Sequence, residues 1–67
     1  MITLTEQIAE ARRELALRRA CYPQWVKQGK LDMTTAHDQL QAQEAIVKTL
    51  ERLEVDQRQL SLFGARA

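Results

Sequence analysis

Few side chains in this sequence could do covalent or metal chemistry. Cys21 is its one thiol and His37 its one imidazole, and together they cannot supply the four ligands that structural zinc takes. His37 and its neighbour Asp38 point in different directions on a helix, and no His is spaced so as to activate Cys21. We therefore expect no catalytic residues, no metal site and no cofactor, and a protein that is not an enzyme.

The composition is that of a small, helix-rich domain. The 67 residues are 45% hydrophobic and 28% charged, which allows one domain. So short a chain buries a modest core, so its stability must come from a disulfide, a metal, well-packed helices or self-association. With a single Cys no intramolecular disulfide can form. Packed helices and self-association are the sources that remain.

Charge is divided unevenly along the chain. Residues 1–31 hold six Lys/Arg and three Asp/Glu, while residues 32–67 hold four and six, which gives +3 and −2. Two halves of opposite net charge would attract each other if they formed two helices that lie side by side. Nucleic-acid binding is a weaker alternative, because DNA-binding domains normally carry a larger basic surplus. It would use the basic side chains of the first half: Arg12, Arg13, Arg18, Arg19, Lys27 and Lys30.

No segment of the sequence is typical of membrane insertion or export. The first residues lack the basic start, apolar middle and small-residue cleavage site of a signal peptide. No apolar run approaches the length of a membrane span. The expected location is the cytoplasm, with no membrane contact.

The first helix is predicted to cover about residues 4–21. Thr3 followed by Glu6 fits a capping box, and Pro23 disfavours helical geometry at Tyr22. Between them, apolar residues recur every three or four positions, interrupted once by Arg18. These residues are Leu4, Ile8, Ala11, Leu15 and Tyr22.

The second helix is predicted to cover about residues 33–58. The connector, 22–32, contains Gly29, a residue common just past a helix end, and closes with Asp32 as an N-cap. An apolar stripe then follows at helical spacing. Its members are Met33, Ala36, Leu40, Val47 and Leu50, widened by Ile46 and Leu53.

Two amphipathic helices with a short connection predict an all-α fold. They should form an antiparallel, coiled-coil-like hairpin over residues 1–58, with a short C-terminal tail at 59–67. A single interface between two helices (the seam) leaves part of the apolar surface of each helix exposed to water. We therefore expect homodimerisation, as in a four-helix bundle.

The connector gathers two of the three aromatic residues, Tyr22 and Trp25. Aromatics at a bend commonly serve packing, and here they could close the hairpin's end against Met33, Ala36 and Leu40. The alternative is a secondary contact for a protein partner.

The same segment resembles that of small uncharacterised helical proteins of bacteriophages and prophages. In those proteins an Arg-rich helix leads into a Tyr-Pro-x-Trp-Val-x-x-Gly segment and a second helix, and the resemblance covers about residues 5–53. It implies a phage or prophage origin and a helical fold, without a biochemical activity. The residues that carry it are Glu14, Leu15, Ala16, Leu17, Arg18, Tyr22, Pro23, Trp25, Val26, Gly29, Ala45, Ile46, Val47 and Leu50.

The tail holds the most specific motif. Gln59, Leu60, Ser61, Leu62 and Phe63 resemble, at every position, the pentapeptide by which bacterial proteins dock on the DNA polymerase sliding clamp. The resemblance implies that Leu62 and Phe63 enter an apolar pocket, with Leu60 flanking it and Gln59 hydrogen-bonding at its rim. The expected function is that of a phage-type accessory protein on the host clamp.

Two alternatives to clamp docking remain at the level of sequence. Leu53, Leu60 and Phe63 are spaced so that the tail could extend the second helix's apolar stripe, with Phe63 in the core. The function would then lie in the hairpin faces. The protein would be a helical interaction module, such as a phage inhibitor of a host regulator.

Overall fold

In a computed structural model, residues 1–64 are described and form two helices, α1 (Leu4–Lys27) and α2 (Met33–Gly64). The helices pack against each other in opposite directions, and the described residues contain no strand. The predicted all-α hairpin is therefore confirmed.

The start of α1 has the predicted capping box. The backbone nitrogen of Glu6 donates to Thr3 Oγ1 at 3.1 Å, and the backbone nitrogen of Thr3 donates to Glu6 Oε1 at 3.3 Å. These two bonds satisfy amide groups that have no partner within the helix. The helix begins at Leu4, as expected.

The end of α1 differs from the expectation, because the helix continues through Pro23 to Lys27. Proline removes one backbone donor, the one that would bond to the carbonyl of Arg19. Packing offsets this loss. Tyr22 is buried against α2, and its hydroxyl donates to Gln39 Oε1 at 2.8 Å.

The connection between the helices is therefore shorter than the predicted 22–32. Gly29 has φ of 74°, and its amide donates to the carbonyl of Val26 at 3.1 Å while the amide of Lys30 donates to the carbonyl of Trp25 at 2.9 Å. This pair of bonds is a Schellman motif, which uses the left-handed glycine to close a helix. Asp32 then caps α2, as predicted.

The core lies along the seam between the helices. Most of the predicted stripe is buried or half-buried, but Met33 is 71% exposed, and Ile46 and Leu53 are exposed at 49% and 45%. Ile46 and Leu53 lie off the seam and do not widen the core, whereas Met33 lies at the connector end of the seam, seven residues before Leu40. The buried apolar residues are Ile8, Ala11, Leu15, Tyr22, Ala36 and Val47, with Leu40 and Leu50 partly buried beside them.

One edge of the seam is joined by polar pairs, as the opposite charges of the two halves indicated. Arg12 pairs with Glu51, and Arg19 Nη2 lies 3.2 Å from Glu44 Oε2. We call this edge, formed by these four residues, the paired edge. Three ion pairs at i,i+4 spacing also lie within the helices: Glu14 with Arg18, Glu44 with Lys48 and Glu54 with Arg58.

The far end of α2 also departs from the expected boundary at residue 58. The helix runs on to Gly64, so residues 59–64 continue the helix rather than form a separate tail. The rest of the predicted tail, 65–67, lies outside the described residues. Near this end, Thr5 at the start of α1 donates to Glu54 Oε2 at 2.7 Å.

Candidate protein-binding surfaces

The predicted docking pentapeptide, Gln59 to Phe63, forms the last turns of α2. Its apolar side chains lie in solvent: Leu60 is 71% exposed, Leu62 64% and Phe63 69%. The alternative prediction, that the tail extends the second helix and buries Phe63, is thus right that the helix continues but wrong that this end is buried. Phe63 is not a core residue.

The helical form spreads the pentapeptide's side chains apart. Successive residues of a helix project about 100° apart, so Leu62 and Phe63 cannot enter one pocket together while helical. Ser61 faces α1, at a shallow groove shared with Thr3 and Leu4. The final turn of any helix lacks N–H donors for its last carbonyl groups, and such ends open at small cost in free energy. The three exposed apolar side chains add no packing that would oppose this opening.

The two connector aromatics have different environments. Tyr22 is 7% exposed, whereas Trp25 is 43% exposed, and their ring centroids are 5.6 Å apart. Tyr22 lines a groove with Met33, Ala36 and Leu40, in agreement with the packing interpretation. Trp25 instead lines a groove on α1 with neighbours that include Leu17 and Cys21.

A second exposed apolar surface lies along the seam, opposite the paired edge. Ile46 and Leu53 each come two residues after a paired glutamate, Glu44 or Glu51, and two residues turn a helix by about 200°. Leu17 and Cys21 stand two residues before and after Arg19, so the same reasoning applies to α1. We call this surface the apolar edge and define it by Leu17, Cys21, Trp25, Ile46 and Leu53.

An independent contact supports the placement of the apolar edge. Arg18 Nη1 donates to the backbone carbonyl of Gln39 at 3.4 Å, so these two residues face each other across the seam. Gln39 precedes Ile46 by seven residues and therefore lies on the same side of α2. Arg18 also lines the groove that holds Leu17 and Trp25.

The arginines proposed for nucleic-acid binding are all paired with carboxylates. Arg12 and Arg19 bond to α2, while Arg13 pairs with Glu10 and Arg18 with Glu14. The hydrogen bond from Arg13, and then its charge, lower the pKa of Glu10. A nucleic-acid phosphate would have to displace these carboxylates.

The residues with reactive side chains are not gathered into a site. Cys21 is half-buried on the apolar edge, and His37 lines the separate groove beside Tyr22. Among residues 1–64, no three His, Cys, Asp or Glu side chains lie close enough together to hold a metal ion. Within the same residues, neither helix has an apolar stretch long enough to cross a bilayer.

Sequence reasoning missed two features of these surfaces. Gln43 occupies a buried seam position that the apolar pattern skipped. Sequence reasoning does not predict the apolar edge, because helical spacing alone places Ile46 and Leu53 beside the core stripe and gives Leu17 no structural role. The seven-residue spacing of Ile46 and Leu53, offset from Val47, could have revealed a second stripe.

No protein-family model, curated protein or solved structure matches this chain.

Proposed function

We propose that this protein is a non-enzymatic, phage-type accessory protein that docks on the host's DNA polymerase sliding clamp through Gln59–Phe63. The proposal depends on one observation. The three large apolar side chains of the motif, Leu60, Leu62 and Phe63, lie in solvent and contribute nothing to the core. A motif that its own fold does not use is available to a partner.

Docking requires the end of α2 to unwind. In an extended chain Leu62 and Phe63 can reach a common apolar pocket, while Leu60 contacts its flank and Gln59 hydrogen-bonds at the rim. The hairpin core keeps its contacts, because it ends before the motif. The transition therefore orders a short peptide and leaves the domain folded.

The affinity of one peptide should be in the micromolar range. A few anchoring side chains must overcome the entropy lost when a mobile segment is ordered. Two peptides on a dimer would bind more tightly by avidity, if both reached pockets of one clamp ring. Occupying the pocket would block host polymerases or recruit a phage factor to replicating DNA in the bacterial cytoplasm.

Binding of the purified protein to a purified bacterial sliding clamp tests the proposal. We expect a dissociation constant in the micromolar range by calorimetry. The double variant Leu62→Ala/Phe63→Ala should weaken binding at least about 30-fold, because it removes both pocket anchors. Val55→Ala is the matched control: Val55 is 47% exposed on the same helix, outside the motif.

Two results would contradict clamp docking. One is the absence of heat or a mass shift with the clamp at hundreds of micromolar. The other is binding that the double variant leaves intact. In the second case the hairpin faces would carry the contact, as in the alternative function of a helical module that binds a host regulator.

A further inference from the structure

We infer that the apolar edge is the interface through which two copies of this chain form a symmetric dimer. This surface is separate from the docking pentapeptide, so the inference does not depend on clamp binding. It assigns to Leu17, Ile46 and Leu53 a role that the hairpin itself does not give them. Each is between 45% and 49% exposed, although helical spacing places them along one side of the molecule.

The chain exposes more surface than a compact monomer of the same mass. The accessible surface is 5495 Å², whereas a compact monomer of 7.7 kDa would expose about 4,300 Å². The difference, about 1,200 Å², exceeds the roughly 800 Å² that each partner buries in a standard interface. The exposed surface of this elongated hairpin, 57 × 21 × 15 Å, is therefore large enough to include an interface of standard size.

The small core supports the same conclusion. The described structure has six buried apolar residues, none of them less than 2% exposed. For a chain of this length, association is one source of the stability that a small core does not supply. If the apolar edges of two copies packed against each other, the cores of the two hairpins would merge into one four-helix core.

The charges beside the apolar edge favour a second copy over a partner of opposite charge. Glu14 and Arg18 flank Leu17 but pair with each other, with Arg18 Nε 3.0 Å from Glu14 Oε1. In a two-fold dimer each surface meets itself, so a surface with a net charge would meet the same net charge. The pairing of Glu14 with Arg18 removes that net charge beside Leu17.

The helical spacing of the apolar edge suits packing of this kind. Ile46 and Leu53 are one heptad apart, the repeat with which helices pack in bundles and coiled coils. On α1, Leu17, Cys21 and Trp25 recur at steps of four. Each helix therefore presents its own row to a partner.

Sedimentation equilibrium tests the inference by measuring the molar mass of the protein at concentrations from about 1 to 300 µM. The wild type should approach twice 7.7 kDa as concentration rises. Leu53→Lys should raise the dimer dissociation constant at least about 30-fold, because it places two cations in an apolar interface. Val55→Lys is the matched control, since Val55 is 47% exposed, near the 45% of Leu53, but projects toward the paired edge.

Two native side chains report on the same surface. The single Trp25 should shift its emission to shorter wavelength as the dimer forms, and alkylation of Cys21 should slow in parallel. A monomeric mass throughout the range overturns the inference, as does an equal effect of Leu53→Lys and Val55→Lys. Deleting residues 59–67 should abolish clamp binding and leave the dimer intact, so failure of one proposal is distinguishable from failure of the other.

Discussion

The side-chain nitrogen Nε2 of Gln43 on α2 donates to the backbone carbonyl oxygen of Ala11 on α1 at 3.0 Å, within the buried seam. Gln43 is 7% exposed, and no buried side-chain nitrogen or oxygen of the described residues lacks a hydrogen-bond partner. Apolar contacts tolerate sliding, but this donor must meet one carbonyl. The bond therefore specifies the register of the two helices.

Substitution of Gln43 should separate its packing from its hydrogen bond. Gln43→Ala should lower the free energy of unfolding by about 1–2 kcal/mol, because it removes both the bond and the buried stem. Gln43→Met keeps the volume, and the carbonyl of Ala11 keeps its helical partner. That variant should stay within about 1 kcal/mol of the wild type in urea unfolding. A Met variant as unstable as the Ala variant would mean that the hydrogen bond dominates.

Gly29 should resist replacement for a reason confined to the backbone. Its φ is 74°, and a Cβ built there would meet no atom within 4 Å. Gly29→Ala should therefore cost about 1 kcal/mol through conformational strain alone. The neighbouring Gln28 has φ of −82°, so Gln28→Ala is the control and should be nearly neutral. Thermal unfolding followed by circular dichroism measures both, and equal effects would contradict the argument.

Pro23 should be a position where substitution stabilises the protein. Pro23→Ala restores a backbone donor for the carbonyl of Arg19 and relieves the ring's contact with the preceding turn. Alanine also gives the unfolded chain more conformational freedom than proline does, and this offsets part of the gain, by about 0.4–1 kcal/mol. We expect a net increase of about 1–2 kcal/mol in the free energy of unfolding. A lower melting temperature in Pro23→Ala would show that the proline shapes the hairpin's end in another way.

Local signals in the sequence predicted much of the fold. Thr3 with Glu6, Gly29 and Asp32 each act within a few residues, so capping and turn chemistry sufficed to place the start of both helices. The predicted end of the first helix was wrong because the cost of Pro23 in a helix is a local effect. The burial of Tyr22, which outweighs that cost, depends on the second helix. The helix propensity of a single residue does not include the free energy of its tertiary contacts.

The candidate surfaces were harder to predict than the fold. The sequence identifies the pentapeptide, but its helical form was not predicted, because residues 59–67 were expected to form a separate tail. Ile46 and Leu53 were assigned to the core since their spacing is helical. Which side of a helix lies in the seam depends on contacts between the two helices, such as Gln43 with Ala11, and the periodicity of a single helix does not contain them.

Glu44 should make stability depend on pH. Its pKa is lowered from the ordinary 4.5 by the hydrogen bond and charge of Lys48, and further by the hydrogen bond from Arg19. A lowered carboxyl pKa contributes stability above the unfolded pKa, and this contribution is lost as the pH falls through the folded pKa. Glu44→Gln should therefore melt below the wild type at pH 7.

The difference between the wild type and Glu44→Gln should close as the pH falls well below 4.5. Melting temperatures between pH 7 and about pH 2.5 measure this. Asp56→Asn is the control, since Asp56 forms no ion pair among the residues that the structure describes. It should leave the melting temperature close to that of the wild type at neutral pH. A difference that persists unchanged in acid would assign the effect of Glu44 to packing.

Phe63 distinguishes a docking residue from a structural one. Its side chain is 69% exposed, so Phe63→Ala should change the free energy of unfolding by less than about 0.5 kcal/mol. Leu15 is 7% exposed in the core cluster, and Leu15→Ala should cost about 2–4 kcal/mol. Chemical denaturation of the two variants beside the wild type gives both values. If Phe63→Ala proved as costly as Leu15→Ala, the aromatic ring would serve the protein's own core, and the pentapeptide would not be free to dock.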